Sequence, residues 1–341
     1  GVKLYPRESL IVFDEIQRFP KAREAVKYLV ADGRYDYIET GSLISIKENV
    51  SDITIPSEER RINMYPMDFE EFAWALGGEQ LIAYIRQCFE KKSPLDQESH
   101  ATAMMLFRQY IIVGGMPQSV VAFVHNGRDF AAADAEKRDI LALYRSDMMK
   151  IAASYRSGVL AIFDQIPSFL SKSERRVIMS QIEKGATFPK YHDTFFWLSD
   201  SMIANECFNC ADPNVGLSLN EDRTYVKCYM GDTGLLISHT FDENEIADNE
   251  LYRQLLFEKL SLNEGMFFEN AIAQTLVAAG HKLYFYTHYN EEKHRCDIEI
   301  DFLLSNNSKL KYKLYPVEVK SSDRYSITSL QRFNEQFHKR I

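Results

Sequence analysis

Four apolar residues, Leu10-Ile11-Val12-Phe13, run directly into two carboxylates, Asp14-Glu15, and no other feature constrains the start of this chain as tightly. A short unbroken apolar run reads as a strand buried on both faces, the parallel-sheet pattern. After Pro20, residues Lys21 to Ala31 have helical character, and Tyr35 to Glu39 reads as a second strand closed by Thr40-Gly41-Ser42. Strand, helix and strand make one βαβ unit of a parallel sheet. A sheet needs more strands than these two, so the expectation is that others precede residue 1 or that the unit packs elsewhere.

The chain then changes character twice. Its 341 residues are long for one core, so two or three domains are expected. From Glu79 to Glu183 the pattern is helical, with helices expected over 79–91, 98–112, 117–125, 129–153 and 158–171. Gly114-Gly115 before Pro117 stops one helix and starts the next. A helix over 189–202 precedes strand-like segments at Ile203–Phe208 and Tyr225–Met230, a pattern that suits a winged-helix-like unit. The acidic stretch 242–250 reads as a linker. After Glu264 the pattern is α/β. A helix over Gly265–Ala279 is closed by Gly280, strands follow at Leu283–Thr287, Asp297–Leu304 and Leu314–Lys320, and a last helix starts at Ser329. The turn Ser305-Asn306-Asn307-Ser308 joins the last two strands.

Composition narrows the class. No apolar run reaches the roughly 20 residues that span a bilayer, and the first residues lack the basic-then-apolar order of a signal peptide. No membrane role is expected. Five widely spaced cysteines, an odd number, read as reduced thiols of a cytoplasmic protein. Cys207 and Cys210 form a CxxC pair, but Cys228 and His192 make no second tight pair for zinc, so two buried thiols are the simpler reading. A net charge of −9 disfavours a surface coated for nucleic acid. Residues 281–341 nevertheless hold 11 Lys and Arg against 8 Asp and Glu, a local excess of 3 positive charges that suits a phosphate backbone.

The carboxylates at the end of the first strand have the chemistry of nucleotide hydrolysis. Asp14 would hold magnesium and Glu15 would orient the attacking water, at the strand edge where ligands sit in open α/β sheets. The bland alternative is a buried strand ending in a charged turn. Three further segments weigh against it: Met64 to Phe72 (MYPMDFEEF), Tyr110 to Pro117 (YIIVGGMP) and Gly231 to Leu236 (GDTGLL). In this order, from Leu10 to Lys320, the chain resembles a bacterial and archaeal branch of the AAA-superfamily ATPases that carries a C-terminal domain of unknown function and a nuclease-like tail.

The resemblance implies that Asp14 and Glu15 are the Walker B pair and that Ser42 is a polar sensor of the γ-phosphate. It also implies a GxxxxGK[ST] loop upstream, a pattern absent from these residues. ATP binding is therefore expected only of a version that includes that P-loop segment, and the chain as it stands is expected to be a truncated one. Arg60 and Arg61 read as solvated charges rather than arginine fingers.

Near the C-terminus, Glu269, Asp301 and Glu318-Val319-Lys320 have the order and spacing of a PD-(D/E)xK site. Strand alternation puts Glu318 and Lys320 on one face, and places Glu299 and Asp301 opposite Ile298, Ile300, Phe302 and Leu304. The short turn brings Asp301 beside Glu318, and the 265–279 helix carries Glu269 over that edge. Glu269, Asp301 and Glu318 would then hold magnesium, with Lys320 placing the nucleophile. Alternating charges on a strand edge, or a fold whose activity is lost, would leave the same pattern.

The expected architecture is multidomain α/β plus α. An AAA βαβ remnant spans 1–76, a helical and winged-helix-like domain 77–241, and a restriction-endonuclease-like α/β domain 250–341. Two functions compete: part of an ATPase working on DNA with a metal-dependent nuclease-like tail, and a non-enzymatic DNA- or protein-binding module with a degenerate nuclease fold.

Overall fold

The computed structural model describes residues 3–41, 59–151, 153–214, 216–242, 264–290, 292, 294–306, 313–322 and 325–341. The chain divides into two compact units, Gly1–Tyr65 with Asp200–Met202, and Pro66–Ser199 with Ile203–Ile341.

In the first unit, β1 (Leu10–Phe13) and β2 (Asp36–Glu39) pair in parallel, from Leu10 opposite Asp36 to Phe13 opposite Glu39. Helix α1 (Pro20–Asp32) connects them. It starts on Pro20, whose fixed φ suits the first turn, and stops at Gly33, whose φ of 72° closes the C-terminus. The expected double-faced burial of β1 does not hold. Leu10 and Val12 are each 53% exposed, while Ile11 and Phe13 are half-buried. One crossover helix shelters one face of a two-stranded sheet, so the strands alternate.

The second unit begins with α2 (Phe69–Ala75), which the sequence reading left unassigned. It is set by a capping box. Asp68 accepts from the Glu71 N–H at 2.9 Å, and Glu71 accepts from the Asp68 N–H at 3.0 Å. Helices α3 (Glu79–Lys91), α4 (Gln97–Val113) and α5 (Pro117–His125) follow as their caps and periodicity predict. The single helix expected over 129–153 is shorter. Helix α6 (Phe130–Met148) ends at a turn that buries Ile151, and Arg156 holds the Ile151 carbonyl at 2.7 Å. Helix α7 (Ala153–Leu170) starts before Gly158 rather than at it. Gly158 is a packing position, where a Cβ would stand 3.0 Å from the Tyr191 ring on α9 (Phe188–Asp200). The four-residue helix α8 (Met179–Ile182) lies between them.

Strands β3 (Ala204–Cys210) and β4 (Glu221–Met230) form the expected antiparallel ribbon. The ribbon is not a free wing. Strand β3 also pairs in parallel with β5 (Leu283–Asn290), giving a four-stranded sheet of order β4-β3-β5-β6, with β6 covering Arg295–Ile300. Cys207 against Leu283 and Phe208 against Tyr284 join sequence on the two sides of the 242–250 stretch. Helix α10 (Thr233–Thr240) follows the ribbon and α11 (Glu264–Ala278) precedes β5.

The strand expected over 297–304 breaks at Asp301. Strand β6 pairs with β5, whereas β7 (Phe302–Asn306) pairs with β8 (Lys313–Val317), so the chain changes partner at that residue. The break shifts the alternation, and Leu303 is buried in place of Leu304. Helix α12 (Thr328–Phe337) closes the chain and buries Phe333 and Phe337. All five cysteines are free and only Cys296 is exposed. Among the described residues no helix is long and apolar enough to cross a membrane.

Candidate functional sites

In the first unit the chemistry gathers where β1 and β2 end. The Thr40 N–H donates to Phe13 O at 2.9 Å, and the Ile16 N–H donates to Thr40 O at 3.0 Å. The Thr40 hydroxyl donates to Asp14 Oδ1 at 2.5 Å and accepts from the Glu15 N–H at 3.2 Å. Glu15 adopts the left-handed conformation with φ 54°, and its carboxylate lies 3.3 Å from Arg18 Nε. Glu15 is thereby turned out of the strand while Asp14 is oriented by a hydroxyl. Both carboxylates face solvent at the C-terminal edge of parallel strands. Behind them, buried Arg23 pairs with Glu59 at 2.9 Å and with Glu39 at 3.4 Å, and burial raises the Glu39 pKa. The polar residue that reaches Asp14 is Thr40, which the sequence reading passed over. Ser42, expected as the polar sensor of the γ-phosphate, lies outside the described residues. The signal for Thr40 was its place as the first residue after β2.

In the second unit the expected carboxylates do come near each other, but a lysine stands among them. Alternation on β4 points Lys227 and Tyr229 to the same face. Lys227, whose side chain is 1% exposed, places Nζ 3.2 Å from Glu269 Oε1, 3.7 Å from Glu299 Oε1 and 3.9 Å from Asp301 Oδ1. Glu269 is fully buried on α11. Its Oε1 also accepts from the Tyr229 hydroxyl, and its Oε2 meets the Arg175 guanidinium. Arg175 sits in the loop between α7 and α8. The Val177 N–H donates to Val226 O at 2.9 Å and so holds that loop to β4. Burial pushes the Tyr229 hydroxyl and the Cys207 thiol well up, so neither ionises to compete for Lys227.

Asp301 lies at the strand break, 8% exposed, and its Oδ2 accepts from the Val319 N–H at 2.8 Å. Phe302 pairs with Val317, so Asp301 and Glu318 flank the end of that ladder. Glu318 meets Lys320 at 3.2 Å, and burial raises its pKa. The structure thus puts Asp301 beside Glu318 and Lys320, and joins Glu269 to Asp301 through Lys227. The expected magnesium centre of Glu269, Asp301 and Glu318 is not assembled. Among the described residues no group of three or more His, Cys, Asp or Glu is placed to hold a metal ion. Protein groups approach these carboxylates instead: Lys227 and Tyr229 at Glu269 Oε1, Arg175 at its Oε2, and the Val319 N–H at Asp301 Oδ2. Lys227, Tyr229 and Arg175 were missed from sequence. Lys227 alone left a signal, as the one charge inside the strand Tyr225–Met230.

The three segments that carry the family resemblance meet elsewhere in this unit. The Gly115 N–H donates to Asp232 Oδ2 at 2.6 Å, and Asp232 Oδ1 caps α10 through the Leu235 N–H at 2.9 Å. The Met67 N–H donates to Gly115 O at 2.8 Å, and Met67 O accepts from the Tyr110 hydroxyl at 3.0 Å. Gln274 Nε2 bridges Met67 O and Asp232 Oδ2, both at 3.3 Å. A Cβ on Gly115 would lie 2.0 Å from Met67 O, and one on Gly234 would lie 2.4 Å from Val113 O. Buried Lys137 donates to Ile112 O at 2.7 Å. These contacts tie the three segments together in the core around Asp232.

Residues 2–73 match the family described as an AAA domain. Residues 104–245 match a domain of unknown function, DUF8612, and residues 264–340 match a second, DUF4143. No curated protein and no solved structure matches the chain. Residues 2–73 are thus similar to an AAA domain and residues 264–340 to DUF4143, which supports an AAA-type ATPase-like protein.

Proposed function

We propose that this chain combines the metal- and water-handling end of an ATPase with a nuclease-like tail that binds without cutting. The observation that carries the reading is the set of protein cations, Lys227 and Arg175, that already face Glu269, with the Tyr229 hydroxyl donating to it. The tail's surplus of positive charge makes duplex DNA the favoured partner, held through its phosphates. At the N-terminal end, Asp14, held by Thr40, is the residue that would hold magnesium, and Glu15 is the one that would orient water. Magnesium bound with ATP supplies charge neutralisation at the phosphates. Residues 1–341 contain no GxxxxGK[ST] loop, so this stretch by itself is expected to show no ATP affinity in calorimetry.

The competing reading, metal-dependent DNA cleavage, is favoured by one observation: Asp301, Glu318 and Lys320 stand together at the end of the β7–β8 ladder. One assay separates the two. Duplex DNA is incubated with the chain and magnesium or manganese, and binding is followed by fluorescence anisotropy at two salt concentrations. The expected result is salt-sensitive binding with intact DNA. Cleavage that disappears in Asp301→Asn would overturn the proposal.

A further inference from the structure

We infer that Lys227 is a built-in cation, occupying among Glu269, Glu299 and Asp301 the position a divalent metal would take, and that neutralising it turns the cluster into a divalent-cation site. Lysine Nζ faces one oxygen of each carboxylate at 3.2, 3.7 and 3.9 Å. Magnesium needs oxygens at about 2.1 Å and calcium at about 2.3–2.6 Å, so with the ammonium in place the three oxygens are held too far out to ligate either ion. Buried carboxylates without a counter-charge are costly, and Arg175, which meets Glu269, balances only one of the three, so a second cation is called for at this point. The chain provides it from β4, through a lysine that no solvent reaches.

Two features make the site exchangeable in principle. Glu299 and Asp301 retain some exposure, 36% and 12% of their side chains. Glu299 also lines an open cavity of about 350 Å³ together with Asp297, Ser329 and Arg332, so one of the three carboxylates borders solvent. The role assigned to Lys227 rests on the non-cleaving tail proposed above, yet the two fail separately, one by DNA cleavage and the other by metal binding.

The test uses the full chain and manganese alone as the probe, read by calorimetry and by thermal melting. Wild type is expected to melt at the same temperature with or without about 1 mM manganese, because a ligand that does not bind the folded state cannot stabilise it. Lys227→Met and Lys227→Gln are expected to bind manganese at least about tenfold more tightly than wild type and to melt higher in its presence. Adding Asp301→Asn to either variant should abolish the gain. If a variant is unfolded without metal, refolding on manganese supports the assignment and failure to refold overturns it. Folded variants with no gain in affinity also overturn it, as does wild-type binding that weakens in Asp301→Asn.

Discussion

Asp232 and Glu269 are both buried carboxylates of the second unit, 1% and 0% exposed, and the fold satisfies them by opposite means. Around Asp232 the partners are mainly neutral: the N–H groups of Gly115 and Leu235 and the amide of Gln274. Around Glu269 they are a lysine, an arginine and a tyrosine hydroxyl. Neutral donors aimed by the backbone need close approach, which explains the glycines packed against Asp232. Charged partners need only side chains of sufficient reach, and the cluster around Glu269 is assembled from β4, α11, β6 and a loop. The first arrangement fastens the core. The second keeps a set of acidic groups in place by balancing their charge, as a former or alternative ligand site would require.

The sharpest break of this comparison is loss of the balancing charge. Lys227→Met leaves Glu269 to Arg175 and takes the ammonium away from Glu299 and Asp301, and breaking a buried pair costs about 3–5 kcal/mol. Glu269→Gln should cost less, because Arg175 and Lys227 keep other carboxylate or solvent partners. If charge balance is what matters, the double variant should be more stable than the sum of the two single losses predicts, by roughly 1–3 kcal/mol. Urea denaturation of the four proteins gives the cycle. Strict additivity would show that the Lys227–Glu269 contact is incidental.

The neutral knot breaks differently, through shape. In Gly115→Ala the new methyl would lie 2.0 Å from Met67 O and 2.8 Å from Met67 N, both backbone atoms that cannot rotate away. Overpacking of this kind costs about 3 kcal/mol. Gly127→Ala is the control, since Gly127 has φ 69° and nothing within 4 Å of an added Cβ, so only backbone strain of roughly 1 kcal/mol is at stake. Equal losses at the two positions in thermal or urea unfolding would mean that the Gly115–Met67 approach carries no special tightness.

The same contrast explains what could be read from sequence. Local rules located the elements: Asp68 with Glu71 and Asp96 with Ser99 cap helices within three residues, and the helices of the second unit follow their periodicity. Gly114-Gly115 was legible as a helix stop, but its partner Asp232 lies 117 residues away from Gly115, and no local pattern contains that distance. The break at Asp301 was hidden for a similar reason. Residues 297–304 alternate as one strand should, and the change of partner depends on the Val319 N–H and the β8 ladder. At the candidate site, the proximity of Asp301, Glu318 and Lys320 was legible because a short turn joins the strands that carry them. Lys227 was not, because its role comes from a neighbouring strand of the folded sheet.

The smallest expected effect tests whether the knot around Asp232 is as neutral as its hydrogen bonds suggest. Lys137 donates to Ile112 O beside this knot and faces Asp134, Asp232 and Arg138. Burial outweighs the attraction of the two carboxylates and lowers its pKa from 10.5 to about 8. Between these values the unfolded chain binds the proton and the folded chain does not, so this group makes stability rise with pH, beginning near pH 8. From pH 8 to about 9.5 the gain is roughly 1.5 kcal/mol. Buried thiols and phenols work the other way: burial raises Cys207, Cys210, Cys228 and Cys296, which act over this same range, and Tyr110 and Tyr229, which act above it, and in each case the unfolded chain loses the proton first. The measurement is a set of urea curves across pH 8 to about 9.5 for wild type and Lys137→Met. The difference in stability between wild type and Lys137→Met should grow by roughly 1.5 kcal/mol over this range, because the thiol contributions are common to both proteins and cancel. A difference that stays flat across the range would mean that Lys137 stays charged in the folded state and that the Asp232 knot, like the Glu269 cluster, is held by charge after all.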